Sequence, residues 1–205
     1  MAYKRALLKK MISRLQEPRR FIQVIAGPRQ VGKTTLAGQI VDELAELTAY
    51  HTADDTTEYG TAWIDRIWEA LRVRMRLEGQ QEAVLFIDEI QKIKDWSETV
   101  KKNWDKDTRN KLELKLVLLG SSRLLMQEGL SDSLAGRFEF NHCGYWSLAE
   151  MEEAFSFSAE QYQWFGGYPG AAGLIVDELR FKEYIRSAIV EPTLTRDILM
   201  TTRID

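Results

Sequence analysis

Three short and nearly uninterrupted apolar runs punctuate the chain: Phe21 to Ala26 (FIQVIA), Ala83 to Ile87 (AVLFI) and Leu114 to Leu119 (LKLVLL). Each is too short for a helix and stops at a turn former or a carboxylate, namely Gly27, Asp88 and Gly120, so each predicts a buried strand. A more polar fourth candidate, LTAYHTADD, begins at Leu47 and ends in the Thr52–Asp55 stretch. Between these runs the period becomes helical. A helix is predicted from Lys33 to about Leu47, and another from Trp63 to Leu77. The second carries Trp63, Ile64, Ile67, Trp68, Leu71 and Met75 on one face, with Arg66, Arg72, Arg74 and Arg76 expected on a solvated one. Trp96, Val100 and Trp104 follow at i, i+4, i+8, and an amphipathic N-terminal helix over residues 3–16 presents Leu7, Leu8, Met11, Ile12 and Leu15.

Strands alternating with helices predict an α/β three-layer sandwich with a mostly parallel sheet. After about Phe140 the strands cease, aromatic residues cluster, and helical patterns broken by Gly and Pro run to the end. The expected organisation is a core over residues 1–148 and a small helical lid domain over 149–205, with the boundary near 145–155.

Composition narrows the classes. The 205 residues carry 28 Lys+Arg against 31 Asp+Glu, a net charge of −3, which argues against a nucleic-acid coat or a polycationic membrane binder. A single cysteine, Cys143, excludes an intrachain disulfide, and with only His51 and His142 beside it a structural zinc site cannot form. Partly buried structural roles are expected for all three. No window approaches the roughly 20 apolar residues of a spanning helix. The basic start, MAYKRALLKKMISRLQEPRR, has no secretory apolar region. It has the look of a mitochondrial presequence, but Glu17 and the immediate run into a strand favour a packed first helix and a cytoplasmic protein. The last residues, VEPTLTRDILMTTRID, run out inside a helical pattern, as expected of a piece of a longer architecture.

The first strand leads into Gly27-Pro28-Arg29-Gln30-Val31-Gly32-Lys33-Thr34-Thr35, which satisfies G-x-x-x-x-G-K-[ST] at every required position. The glycines let the backbone curl so that N–H groups converge on a β-phosphate, and the helix from Lys33 adds its positive end. Lys33 can reach the β- and γ-phosphates, while the Thr34 hydroxyl can ligate Mg²⁺. A chance match in a chain of this length is on the order of 1%. The second strand of the site delivers Asp88 and Glu89 at its C-terminal edge, where ligands bind in open α/β sheets. Asp88 suits the Mg²⁺ shell and Glu89 the activation of water.

The third run ends in Gly120-Ser121-Ser122-Arg123. Either serine can hold a water or a γ-phosphate oxygen, and Arg123 can sense the γ-phosphate charge; a helix N-cap with a solvated Arg is the plainer alternative. Arg137, in Leu134-Ala135-Gly136-Arg137, fits three roles equally: a cis sensor, a trans arginine finger or a structural ion-pair partner.

In this order, GPRQVGKTT, VLFIDEIQKI, LLGSSRLL and SLAGRF resemble the P-loop NTPases of the prokaryotic AAA type, related to the STAND signalling ATPases. More narrowly, the chain resembles the ATP-binding proteins whose AAA module precedes a C-terminal domain of unknown function. That likeness continues through Trp146 to Met151, Phe165-Gly166-Gly167-Tyr168-Pro169-Gly170-Ala171, and Glu191-Pro192 to Arg196-Asp197-Ile198. It implies an ASCE-type sheet, with an extra strand between the phosphate-loop strand and the Asp-Glu strand. It also implies a lid in which Pro169 lies near the adenine, although GGYPG alone is equally a turn between helices. Arg123 after the serines is a STAND-like departure. Relatives continue beyond Asp205, so an effector region, homo-oligomerisation and an unknown protein partner are expected outside this chain.

The leading expectation is an ATPase binding Mg·ATP or ADP. A nucleotide-held switch, a small-molecule kinase and a nucleic-acid motor are the alternatives, with nucleic acid not favoured and no membrane.

Overall fold

The computed structural model describes residues 3–55, 60–121, 130 and 133–194. Five strands, β1 (Ile22–Ala26), β2 (Leu47–Thr52), β3 (Glu82–Asp88), β4 (Glu113–Gly120) and β5 (Phe138–His142), form one sheet in the order β2-β3-β4-β1-β5. Every pairing is parallel, with Val24 opposite Leu118 and Phe140, and Leu85 opposite Ala49 and Leu116. The extra strand expected between β1 and β3 is β4. Because each strand runs the same way, Gly27, Glu89 and Ser121 all leave the sheet at one edge.

The central strands are buried on both faces, which is why they read as apolar runs. Alternate side chains divide into two cores. Val24, Leu85, Ile87, Leu116 and Leu118 pack with helices α3 (Ala62–Glu78) and α4 (Trp96–Arg109). Ile25, Val84, Phe86, Val117 and Leu119 pack with α1 (Ala6–Gln16) and α2 (Lys33–Glu43). These are the three layers.

Three expectations need correction. A strand that was not expected, β5, ends at His142, close to where the strands were expected to cease; it reads FEFNH because it is an edge strand, half-covered, with only Asn141 fully buried. The helix after the phosphate loop ends at Glu43 rather than Leu47, since Leu44 is already extended and the chain must enter β2 at Leu47. Arg72 is not on a solvated face. It lies four residues past Trp68 on the same stripe and is buried, donating from Nε to Asp107 Oδ1 at 2.8 Å; Trp68 Nε1 donates to Asp107 Oδ2 at 2.7 Å. Arg74 and Arg76 do face solvent, beside Glu78 and Glu69.

Beyond β5 the described residues are mainly helical: α5 (Leu148–Phe155), α6 (Ala159–Phe165), a 3₁₀ stretch (Pro169–Leu174), and α7 (Glu178–Tyr184) running into a π-helical segment (Ile185–Val190). Ser147 with Glu150, and Ser158 with Gln161, form capping boxes that start α5 and α6. Cys143 is buried and His51 stands edge-on to Trp63, but His142 is exposed rather than partly buried, being the last residue of the edge strand. Among the described residues no helix is long and apolar enough to cross a membrane.

Candidate functional site

The turn from β1 into α2 is shaped by two glycines with different tasks. A Cβ on Gly27 would lie 1.8 Å from the Cys143 carbonyl oxygen, so Gly27 permits close approach to the end of β5. Gly32 has φ +90° as the N-cap of α2, a left-handed conformation that glycine adopts without a steric penalty. Gln30, also at positive φ, precedes it. Lys33 is 7% exposed, and its ammonium donates to the Gly27 carbonyl at 2.9 Å and the Pro28 carbonyl at 2.6 Å. Burial pushes the Lys33 pKa down, and the charges of Glu89, Cys143 and Asp88 push it back up. A lysine held in this way by its own loop can meet phosphate oxygens with little reorganisation.

Asp88 ends β3. Its Oδ2 accepts from the Thr34 hydroxyl at 3.1 Å and the Tyr50 hydroxyl at 2.5 Å, and its Oδ1 from the Glu89 N–H at 2.8 Å. Burial, then the bond to Asp88, raises the Tyr50 pKa, which keeps that hydroxyl a donor. Among the described residues no cluster of three or more His, Cys, Asp or Glu is arranged to hold a metal. The pairing of one hydroxyl with one carboxylate nevertheless fits Mg²⁺, which keeps its waters and takes one or two protein oxygens together with substrate phosphates.

Glu89 adopts φ +52°, which bends the chain off the strand into a 3₁₀ turn (Ile90–Lys92). A non-glycine residue held there marks a site where the surroundings fix the backbone. Its Oε2 accepts from the Ser121 hydroxyl at 2.9 Å and from Gln91 Nε2 at 2.5 Å. Ser121 is buried just past β4 and next to the loop, since the Gly27 N–H donates to the Gly120 carbonyl at 3.3 Å.

A cavity of about 1170 Å³ opens at this edge, large enough for a nucleotide. Arg29, Gln30, Gly32, Lys33, Thr34, Thr35 and Glu89 line one side, and Pro169 and Gly170 from the helical region line another. Tyr3, Trp146 and Phe155 add an aromatic wall. Val31 is buried, and its carbonyl accepts from the Trp146 indole at 3.0 Å, which ties the loop to the segment entering α5. Gln30 bonds the Tyr184 hydroxyl of α7.

The structure therefore brings together Gly27 through Thr35, Asp88, Glu89, Ser121 and Pro169. It does not bring Arg137 to them. Arg137 precedes β5 and its carbonyl accepts from the Ile22 N–H at 2.8 Å, placing it at the opposite edge of the sheet. A five-residue strand spans about 17 Å, too far for a cis sensor. Its guanidinium instead pairs with Asp105 at 3.0 Å, the structural reading of the three. Ser122 and Arg123 lie outside the described residues, as do Arg196, Asp197 and Ile198.

Sequence reasoning missed Gln91, Tyr50 and the indole of Trp146. Gln91 carried a faint signal, being two residues past a carboxylate at the strand edge. The other two act through partners remote in the chain.

The family comparison agrees with this architecture. A model of the AAA domain family matches residues 19–152. Among solved structures, the chain is similar to a point variant of RuvB from Thermotoga maritima, at 22% identity and a TM-score of 0.48, over 73% of this chain and 45% of that one. The chain thus spans less than half the length of that structure. No curated protein matches. With about two thirds of its length under one family model and the phosphate loop, Asp-Glu edge and intervening strand in their places, the chain belongs to the AAA domain family.

Proposed function

We propose that this chain binds Mg·ATP at the C-terminal edge of its sheet, hydrolyses it, and passes the nucleotide state to its helical region. The observation that carries the reading is Glu89, clasped by Ser121 and Gln91 yet lining the same cavity as Lys33 and Thr34. Convergent backbone N–H groups of the loop and Lys33 bind and orient the phosphates, Thr34 and Asp88 would hold Mg²⁺, and Glu89 takes the proton of the attacking water. Mg²⁺, when bound, supplies charge neutralisation on the phosphate oxygens. The cavity shared with Pro169 and Gly170, the Trp146–Val31 bond and the Gln30–Tyr184 bond supply routes by which a change in the loop reaches α5 and α7. The helical region over 149–205 acts in this reading as the lid. An effector or a second copy of the chain would respond to its position.

The test is Mg²⁺-dependent phosphate release from ATP, with nucleotide binding, for the parent, Lys33→Ala and Glu89→Gln. Lys33→Ala is expected to weaken binding roughly 10- to 100-fold, the loss of a charge-assisted contact. Glu89→Gln should keep binding and lose about 10²–10⁴ in rate. Tight binding without release in the parent would instead establish a nucleotide-held switch. Absence of binding would sink the proposal.

A further inference from the structure

The clasp around Glu89 carries a further step, which rests on the hydrolytic reading above. Gln91 Nε2 donates to Glu89 Oε2 at 2.5 Å and to Ser121 Oγ at 3.2 Å, while the Ser121 hydroxyl donates to the same Oε2 at 2.9 Å. Both hydrogens of the amide and the one hydroxyl hydrogen are used in a closed ring of three groups. The chemistry fixes which end of the amide faces inward. A carboxylate only accepts, and a hydroxyl whose hydrogen is already given to it can only accept from the amide, so the nitrogen must face Glu89.

The opposite end of the same side chain, Gln91 Oε1, is buried with no hydrogen-bond partner among the described residues. A glutamine kept only for packing would be expected to satisfy both ends, whereas a buried polar atom left short needs another explanation, function among them. Glu89 lines the cavity, and neither Gln91 nor its other partner Ser121 does, so the route from Gln91 to the reaction runs through Glu89.

We infer that Gln91 is a positioning residue that sets the rotation of the Glu89 carboxylate. The terminal torsion of a glutamate is broad and close to two-fold. One hydroxyl bond from Ser121 restrains it from one direction only. A second donor on the same oxygen, from a turn whose path is set by the positive φ of Glu89 itself, clamps Oε2 to the protein and leaves Oε1 as the oxygen that takes the proton. The clamp is present before substrate arrives, so the general base is aimed in advance.

The experiment compares the parent chain, Gln91→Leu, Glu89→Gln and the double variant by single-turnover hydrolysis of γ-labelled ATP, steady-state kcat and KM, and nucleotide Kd. Gln91→Leu should lower kcat on the order of tenfold with KM and Kd within about twofold of the parent, and should add no further loss in the Glu89→Gln background. Gln91→Asn, which keeps the amide but shortens its reach, should give a smaller loss in kcat alone and guards against a Leu variant that fails to fold. A Gln91→Leu protein with the parent's kcat would overturn the assignment. So would an equal loss in both backgrounds, or a rise in KM matching the fall in kcat, because either shows action independent of Glu89. A parent that releases no phosphate, indistinguishable from Glu89→Gln, takes down the hydrolytic reading itself and the positioning role with it, and is recognised without any Gln91 variant.

Discussion

The sheet core and the helical region that follows it are held together by different means. In the core, β1, β3 and β4 are buried along almost their whole length and feed two large apolar clusters, one on each face. In the helical region the buried cluster shrinks to Trp146, Met151, Phe157 and Ala172, and neither α6 nor α7 buries a side chain completely. Trp164, Val176 and Leu179 there are 70%, 92% and 77% exposed. The groups assigned to chemistry therefore stand on the element whose opening costs most, while Tyr184, which bonds Gln30 of the loop, and Pro169, which lines the same cavity, stand on elements with little apolar burial. Local opening free energy follows such burial, so the second region is where displacement is cheapest.

The largest expected effect tests the rigidity of the core. Arg72, Asp107, Trp68 and Asn103 form a buried polar network between α3 and α4, with Arg72 and Asp107 side chains 8% and 1% exposed. Arg72→Leu leaves the Asp107 carboxylate buried with its guanidinium partner gone and should cost about 3–5 kcal/mol of global stability by denaturant unfolding. Replacing both, as Arg72→Met with Asp107→Leu, should recover only part of that loss, because the buried Trp68 indole N–H and Asn103 amide oxygen then lose these partners. A single variant as stable as the parent would show that the core tolerates an uncompensated buried charge and is looser than its packing indicates.

Two glycines sharpen the contrast because the same insult falls in each region. A Cβ at Gly27 meets the Cys143 backbone at 1.8 Å, and a Cβ at Gly167 meets the Trp146 carbonyl oxygen at 2.0 Å. Gly27→Ala must separate β1 from the end of β5 and should lower global stability by about 2–4 kcal/mol while weakening nucleotide binding. Gly167→Ala breaks the bond from the Trp146 N–H to the Gly167 carbonyl, now 2.9 Å, and should act locally. Peptide-resolved hydrogen exchange is expected to show faster exchange over α5 and α6 with β3 and β4 unchanged. Equal loss of protection in both would mean that the two regions unfold as one cooperative unit.

What the sequence disclosed follows the same division. β1, β3 and β4 were legible because burial on both faces leaves no polar interruptions, and the phosphate loop and Asp88-Glu89 were legible because their spacing along the chain is their geometry in space. β5 was not, since an edge strand alternates Phe138, Glu139 and Phe140 instead of running apolar. Arg137 follows the serine stretch closely in sequence, yet a parallel strand must restart from the far edge, and that return carries the arginine away from the loop. Gln91 and Trp146 act across 30 and 115 residues, on Ser121 and Val31, and no local pattern encodes such a partner.

The smallest effect concerns the seam between the two regions. Arg5, ahead of α1, donates from Nε and Nη2 to the two oxygens of Glu150 at 2.8 and 3.2 Å, and from Nη1 to the Gly144 carbonyl at 3.1 Å. Beside it, the Tyr3 hydroxyl donates to Glu153 at 2.9 Å. Burial alone would raise the Glu150 pKa, but the Arg5 guanidinium and the Ser147 backbone N–H hold it below the ordinary carboxylate range. A depressed carboxylate contributes stability above its unfolded pKa, and that contribution is lost as pH falls through the folded value. Glu150→Gln should therefore destabilise the protein by about 1–2 kcal/mol near neutral pH, with the difference from the parent closing below about pH 4. Thermal unfolding of the two proteins across that range reads it directly. A constant gap at all pH values would show that the effect does not come from the Glu150 charge, since a glutamine can close the capping box of α5 as Gln161 closes that of α6, and would count against the ion pair with Arg5 as a tie across the seam.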